Sequence, residues 1–246
     1  MNFELKKELT HPQKRIWYTE KKYSDTTMHT VGGYLNIYGK IDVEVLKKSI
    51  KYVVKSNDIL RVSFIEEEGK VFQIVKDYEK FDIEVKNFDN SLKGDEKFEL
   101  WIKEISCSPF NKDNFVQFYI FKKSENEYGI VAKLHHIIAD GWSFGVLSKQ
   151  IGSAYDKFLS EGNIEENEVI QYWNYLETEK KYINSDKYNL EHMFWKNEMR
   201  DLPECGSKYD SLDFSGVRKE YELNLIESKA IKDFCKKNNC SLNLFY

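Results

Sequence analysis

His135 and His136 stand side by side at the end of an apolar run, with Asp140 four residues beyond the second and Gly141 beside it. Neighbouring side chains on an extended segment point to opposite faces, so the two imidazoles are expected to do different jobs. His136 shares its face with Ile130, Ala132 and Leu134, and His135 with Val131 and Lys133. The apolar face is the better wall for a pocket, which makes His136 the candidate for chemistry. A neutral imidazole there can accept a hydrogen bond from an attacking amine or hydroxyl and take its proton. Asp140 is expected either to cap the helix that begins near Trp142 or to pair with one of the few arginines. Gly141 allows close backbone approach, and the helix N-terminus offers amides to a developing oxyanion. Acyl transfer is the chemistry such a set can perform. Each residue taken singly has a plainer reading: a strand histidine is often a satisfied core residue, and an aspartate here is often only an N-cap. A metal site is disfavoured, because adjacent histidines facing opposite ways chelate poorly.

These residues must be held by the elements around them. Two strong strands, Phe115–Lys122 and Tyr128–His136, are joined by the polar loop at 124–127. The helix after Gly141 places Leu147, Ile151, Tyr155 and Phe158 in register and ends near Gly162. Upstream, Thr10 and Gln13 form a capping-box pattern with Pro12 in the first turn. Residues 29–38 look extended, and a helix with Leu46, Ile50, Val53 and Val54 on one face follows. Arg61–Glu66 and Lys70–Lys76 read as a hairpin about Glu68-Gly69, then a short strand alternates Phe81, Ile83 and Val85. A helix with Phe98, Trp101, Ile102 and Ile105 must stop before Pro109. Helical, aromatic-rich sequence runs from Tyr172 to Trp195. Strands and helices interleave, with hairpins among the strands, so the expected fold is an α/β (α+β) sandwich on a mixed sheet. Arg218–Leu225 alternates like a strand, Glu227–Asn238 reads as a helix, and Ser241 opens an apolar segment that stops at Tyr246. Domains seldom stop on an unfinished apolar run, so a fragment lacking its second half is expected.

Composition excludes other classes. Over 246 residues the hydrophobic share is 41%, the charged share 32% and the net charge −4, mixed along the chain. That gives no electrostatic footprint for nucleic acid, and no apolar stretch has the length of a signal peptide or a membrane span. The cysteines Cys107, Cys205, Cys235 and Cys240 are irregularly spaced. They suit free thiols in a reducing, cytoplasmic compartment better than disulfides or zinc. Arginine occurs only at 15, 61, 200 and 218.

The segment His135-His136-Ile-Ile-Ala-Asp140-Gly141-Trp-Ser resembles the His-His-x-x-x-Asp-Gly signature of condensation domains from nonribosomal peptide synthetases. Leu9-Thr10-His11-Pro12-Gln13-Lys14-Arg15-Ile16-Trp17 resembles the family's opening motif, and Asn57-Asp58-Ile59-Leu60-Arg61-Val62-Ser63-Phe64 its second. The aromatic segment 172–195 is similar to the one that leads out of the first lobe. The resemblance implies a chloramphenicol-acetyltransferase-like fold of two lobes with a tunnel between them. Residues 1–180 would be the first lobe, and 181–246 the connecting helix and truncated start of the second. It implies amide formation between a donor acyl or peptidyl thioester and an aminoacyl thioester, each carried on the phosphopantetheine of a peptidyl carrier protein. An adenylation domain of the same synthetase would be a further partner, and no bound cofactor or metal is implied. The resemblance gives His136 the catalytic role, as base or as orienting group, with His135 and Gly141 beside it in the motif. It implies an arginine salt bridge for Asp140, for which Arg61 is the candidate, while Arg15 reads as a solvated helix residue. The wording from Gln13 to Lys21 also resembles starter domains, whose donor is an acyl-CoA or an acyl carrier protein. The opening motif lies close to Met1, so no carrier or adenylation domain is expected before it if Met1 is native. Tethering the two substrates end to end would supply much of the rate, and the imidazole typically about 10² to 10⁴-fold. The fragment alone is expected to be inactive. An ester-forming O-acyltransferase and a non-catalytic recruitment module are the rival readings.

Overall fold

In chain order, β1 (Lys7–Glu8) leads into α1 (His11–Lys22), β2 (Thr30–Tyr38) and α2 (Val43–Ser56). A 3-10 turn at Asp58–Arg61 precedes β3 (Val62–Glu67) and β4 (Lys70–Val75), followed by β5 (Glu84–Asn87) and α3 (Leu92–Cys107). Then come β6 (Val116–Ser124), β7 (Glu127–His135), α4 (Gly141–Glu161), α5 (Tyr172–Ile183) and α6 (Asp186–Glu198). The elements α7 (Leu225–Lys237) and α8 (Leu242–Phe245) close the chain. The computed structural model describes residues 6–23, 26–79, 81–89, 91–110, 114–164, 171–201, 219 and 221–246. Two compact units are present, Met1–Cys205 and Gly206–Tyr246.

The first unit carries a four-stranded sheet in the order β2-β7-β6-β5 and a three-stranded sheet in the order β1-β4-β3. Among the described residues only the β5–β6 pair is parallel, so the larger sheet is mixed and mainly antiparallel, as expected. Its faces follow the two-residue alternation of the strands. Phe118, Ile120, Ile130 and Leu134 pack with Leu46, Ile50 and Val53 of α2 and Leu147, Ile151 and Phe158 of α4. Phe121 and Val131 face the other way, onto Phe98, Trp101 and Ile105 of α3. This is the α/β sandwich anticipated from the pattern. β7 lies between two neighbours, and Gly129 is where they crowd it. A Cβ there would collide with the Leu35 carbonyl oxygen and with the Phe121 ring.

Local chemistry sets the boundaries. Thr10 Oγ1 accepts from the Gln13 amide at 3.3 Å while Gln13 Oε1 accepts from the Thr10 amide at 3.0 Å. The β3–β4 hairpin turns through Glu68 (φ 50°) and Gly69 (φ 75°), the paired left-handed residues of a two-residue hairpin. α3 ends two residues before Pro109. Its last turn is closed by Lys133, 1% exposed, whose Nζ donates to the Ser108 carbonyl at 2.6 Å and to its hydroxyl at 2.8 Å. A cation at a helix C-terminus is favourably placed.

Two expectations need correction. The strand about Phe81, Ile83 and Val85 begins only at Glu84, although Ile83 is buried. Of the strand expected over Arg218–Leu225, Arg218 and Glu220 lie outside the described residues. Tyr221–Asn224 forms neither helix nor strand, and Leu225 opens α7. The Asn224 side chain accepts from the Ile226 and Glu227 amides at 2.9 and 3.0 Å, and Glu227 bonds back to the Asn224 amide. That capping box outweighs the alternation.

Candidate active site

β7 stops at His135, and His136 is the first residue of the turn into α4. The His136 amide donates to the His29 carbonyl at 2.7 Å, next to the start of β2. Gln13 of α1 donates from Nε2 to the Ile137 carbonyl at 3.3 Å. Its amide also pairs reciprocally with that of buried Gln73 at 3.1 Å in each direction. The His136 imidazole is thereby exposed to a cleft of about 670 Å³. Its walls include Gln13, Arg15 and Thr19 of α1, Asp140 and Ser143 at the head of α4, and Tyr172 and Tyr175 of α5.

His135 occupies a different environment. It is 5% exposed, with the rings of Phe110 and Phe115 set edge-on at 5.5 and 5.2 Å. Its Nδ1 accepts from the Ile137 amide at 3.2 Å, so the neutral ring carries its proton on Nε2. Burial, and then the neighbouring His29 and His136, pull its pKa down to about 4. A neutral, buried imidazole bonded to the backbone serves shape, not proton transfer. The two histidines thus occupy different environments, His135 buried and His136 exposed. One detail differs: Ile130 and Ala132 do not share a wall with His136. They line a separate, strongly apolar cavity of about 470 Å³ with Gly33, Leu35, Phe144 and Gly145. The strand ends before His136, and the turn diverts its side chain into the neighbouring cleft.

Asp140 caps α4. Its carboxylate accepts from the Ser143 amide at 2.9 Å and the Ser143 hydroxyl at 2.7 Å. The Ser143 side-chain bond, then its backbone bond, hold the Asp140 pKa below the usual carboxylate value. The expected pairing with Arg61 is not formed. Arg61 donates from Nη1 to the Lys76 carbonyl at 2.5 Å, at the end of the β3–β4 hairpin. Asp140 is occupied at its own helix terminus, and that local bond forms at no cost in chain reach. It also takes the Ser143 amide, one of the donors expected for an oxyanion. Gly141 opens α4, and beyond its chain neighbours and its own helix backbone no described atom lies within 4 Å of where a Cβ would stand. Arg15, read as a solvated residue, is exposed at the rim of the cleft.

Three contributors were not legible from their types alone. Asp58, 6% exposed, accepts from the Tyr172 and Trp173 amides at 2.8 Å each. It fixes the start of α5, and with it the two tyrosines of the cleft. Its place in the second motif was the available signal. His29 also lines the cleft, and its Nε2 lies 3.8 Å from Glu20 Oε2. Burial lowers the His29 pKa and raises that of Glu20.

The Condensation domain family profile matches residues 4–245. One of the plipastatin synthase subunits of Bacillus subtilis is 26% identical over 242 residues, spanning 95% of this chain and 9% of that relative. Surfactin synthase subunit 1 of the same organism is 27% identical over 246 residues, spanning 95% of this chain and 7% of that relative. A mutant of the starter condensation domain of rhizomide synthetase, solved in complex with C8-CoA and Leu-SNAC, superposes with a TM-score of 0.74. It is 17% identical, and the match covers 80% of this chain and 46% of that one. The chain therefore spans about half the length of this structural relative and under a tenth of the two synthetase subunits. The fold class is the chloramphenicol-acetyltransferase-like one that the sequence resemblance implied.

Proposed function

Because this chain belongs to the Condensation domain family, we propose that it serves amide-bond formation between a donor acyl or peptidyl thioester and a carrier-bound aminoacyl thioester. The observation that carries the proposal is the exposure of His136 to the cleft while His135 is buried and neutral. The acceptor amine attacks the donor thioester carbonyl, a C–N bond forms, and the tetrahedral adduct collapses with loss of the donor thiol. The ammonium proton released on the way passes to His136 or directly towards the leaving sulfur, with His136 orienting the amine in the second case. Peptidyl carrier proteins would deliver both substrates on phosphopantetheine arms, and an adenylation domain would load the acceptor. Confinement of the two arms makes the encounter effectively unimolecular, which supplies more of the rate than the imidazole does.

An acyl donor of the starter kind suits this chain. The apolar cavity under α4 lies one residue along the helix from Ser143 of the His136 cleft, and its lining from Gly33, Ala132 and Gly145 leaves room for a hydrocarbon tail. The relative bound to C8-CoA supports the same choice by analogy.

The test uses the chain extended to the length of its two-lobed relatives, mixed with an aminoacyl-loaded carrier protein and a panel of acyl-CoA and acyl-carrier donors. Intact mass spectrometry follows the acceptor. An added acyl mass that drops at least about 100-fold in rate in His136→Ala is expected, the lower bound of what an acid–base group contributes. No added mass from any donor with folded protein would turn the assignment towards a recruitment module. Acylation of an alcohol in place of the amine would identify an ester-forming relative.

A further inference from the structure

We propose that Glu20 is a positioning residue for His136, acting through His29 and His135. The positioning stands on geometry alone, while its consequence for turnover rests on the condensation reading above. Glu20 Oε2 lies 3.8 Å from His29 Nε2 and 3.9 Å from His135 Nε2. Glu20 Oε2 and His29 Nε2 are buried and have no hydrogen-bond partner among the described residues. One carboxylate oxygen on α1 is thus approached by the residue that precedes β2 and by the last residue of β7.

Each histidine holds one side of His136. The His29 carbonyl accepts the His136 amide at 2.7 Å. His135 Nδ1 accepts the Ile137 amide at 3.2 Å, which puts its proton on Nε2, 3.9 Å from Glu20 Oε2. The two backbone N–H groups that flank the His136 side chain are therefore bonded to the two residues that Glu20 gathers. At these distances the contacts are ion pairs only if an imidazole is protonated. Burial keeps His135 neutral down to about pH 4, so at neutral pH the carboxylate faces the His135 Nε2–H as a dipole and not as a cation.

The charges around the cluster leave Glu20 as its anion. From β7, Lys133 shares the face of His135 but bonds Ser108, and the side toward α3 is closed by the rings of Phe110 and Phe115. Asp140 is bonded to Ser143. His136 lies close enough for its charge to disfavour protonation of both other imidazoles. Protonation of His135 Nδ1 would remove the acceptor of the Ile137 amide, so acid loosens the same turn.

The experiment compares E20Q and E20D with the parent 246-residue chain. NMR follows amide exchange at His136 and Ile137 and the imidazole titrations of His29 and His135. In E20Q both amides are expected to lose about tenfold in protection, and both histidines to titrate at lower pH because an anion has been removed. E20D is expected to recover part of each effect, with amides inside β6 unchanged in both variants. Unaltered exchange and titration in E20Q would overturn the proposal. So would an equal loss of protection throughout β6 and β7, which would make Glu20 a folding residue only. In the extended chain, E20Q is expected to lower kcat about tenfold at constant KM, a fraction of an acid–base contribution. An unchanged kcat would remove the catalytic consequence. Absence of transfer by the parent protein would instead refute the condensation reading, leaving the exchange data to decide the positioning.

Discussion

His135 and His136 are one bond apart in sequence and opposite in environment. His135 is packed among aromatic rings with its pKa drawn to about 4, while His136 opens to the cleft. The depressed value has a thermodynamic consequence. An unfolded histidine titrates near 6.5, so between pH 6.5 and 4 the unfolded chain binds a proton that folded His135 refuses. The stability His135 contributes is complete above the unfolded pKa and is lost as pH falls through that window. The loss is on the order of 3 kcal/mol. His29, lowered by burial, adds to the loss, whereas Glu20, raised by burial, opposes it as its carboxyl takes up a proton. Replacing His135 with Phe preserves the ring packing and removes the titration. Urea unfolding from pH 7 to 4.5 should show a flatter dependence in His135→Phe than in the parent chain. Identical slopes would mean that His135 is not held neutral. Asp140 belongs to a different class: its carboxylate is spent on the N-terminus of α4, and Arg61 is no part of its environment.

Helix termini and one buried amide pair set the cleft at the scale of elements. Gln13 joins α1 to the turn after His136, and Gln73 of β4 joins α1 to the smaller sheet. Asp58 secures the head of α5 through two charge-assisted bonds at 2.8 Å. The Tyr172 ring that follows is buried enough for its hydroxyl pKa to be pushed up to about 12. Asp58→Ala removes the acceptor of the part-buried Tyr172 and Trp173 amides, and of the Ile59 amide, and is expected to cost about 2 kcal/mol in denaturant unfolding. A change below about 0.5 kcal/mol, the range of an ordinary surface substitution, would show that α5 docks without it. The α4 helix is held by local bonds at its own first turn, so it presents Ser143 to the cleft and Phe144 and Gly145 to the apolar cavity.

For the whole molecule, the match places 80% of this chain against 46% of the rhizomide synthetase starter domain. A cleft walled by α1, α4 and α5 holds His136 but is open to solvent, and positioning with water exclusion needs an opposing surface. The 246 residues assayed alone are therefore expected to give no acyl mass on the carrier under conditions where the extended chain does. Turnover by the shorter chain would mean that these residues suffice. The sequence alone determined the sandwich, the capping box at Thr10 and Gln13, the hairpin at Glu68-Gly69 and the separate environments of two adjacent histidines. Each of these is written in local periodicity, turn chemistry or strand alternation, which act over a few residues. The partner of Asp140 was not legible, because a local serine and a distant arginine satisfy a carboxylate equally well on paper. Nor were Glu20, His29 and Asp58, whose roles depend on which helices meet, 9 to 115 residues apart in the chain. Only tertiary structure brings such groups within 4 Å, because packing of apolar faces, not the polar residues themselves, decides which elements become neighbours.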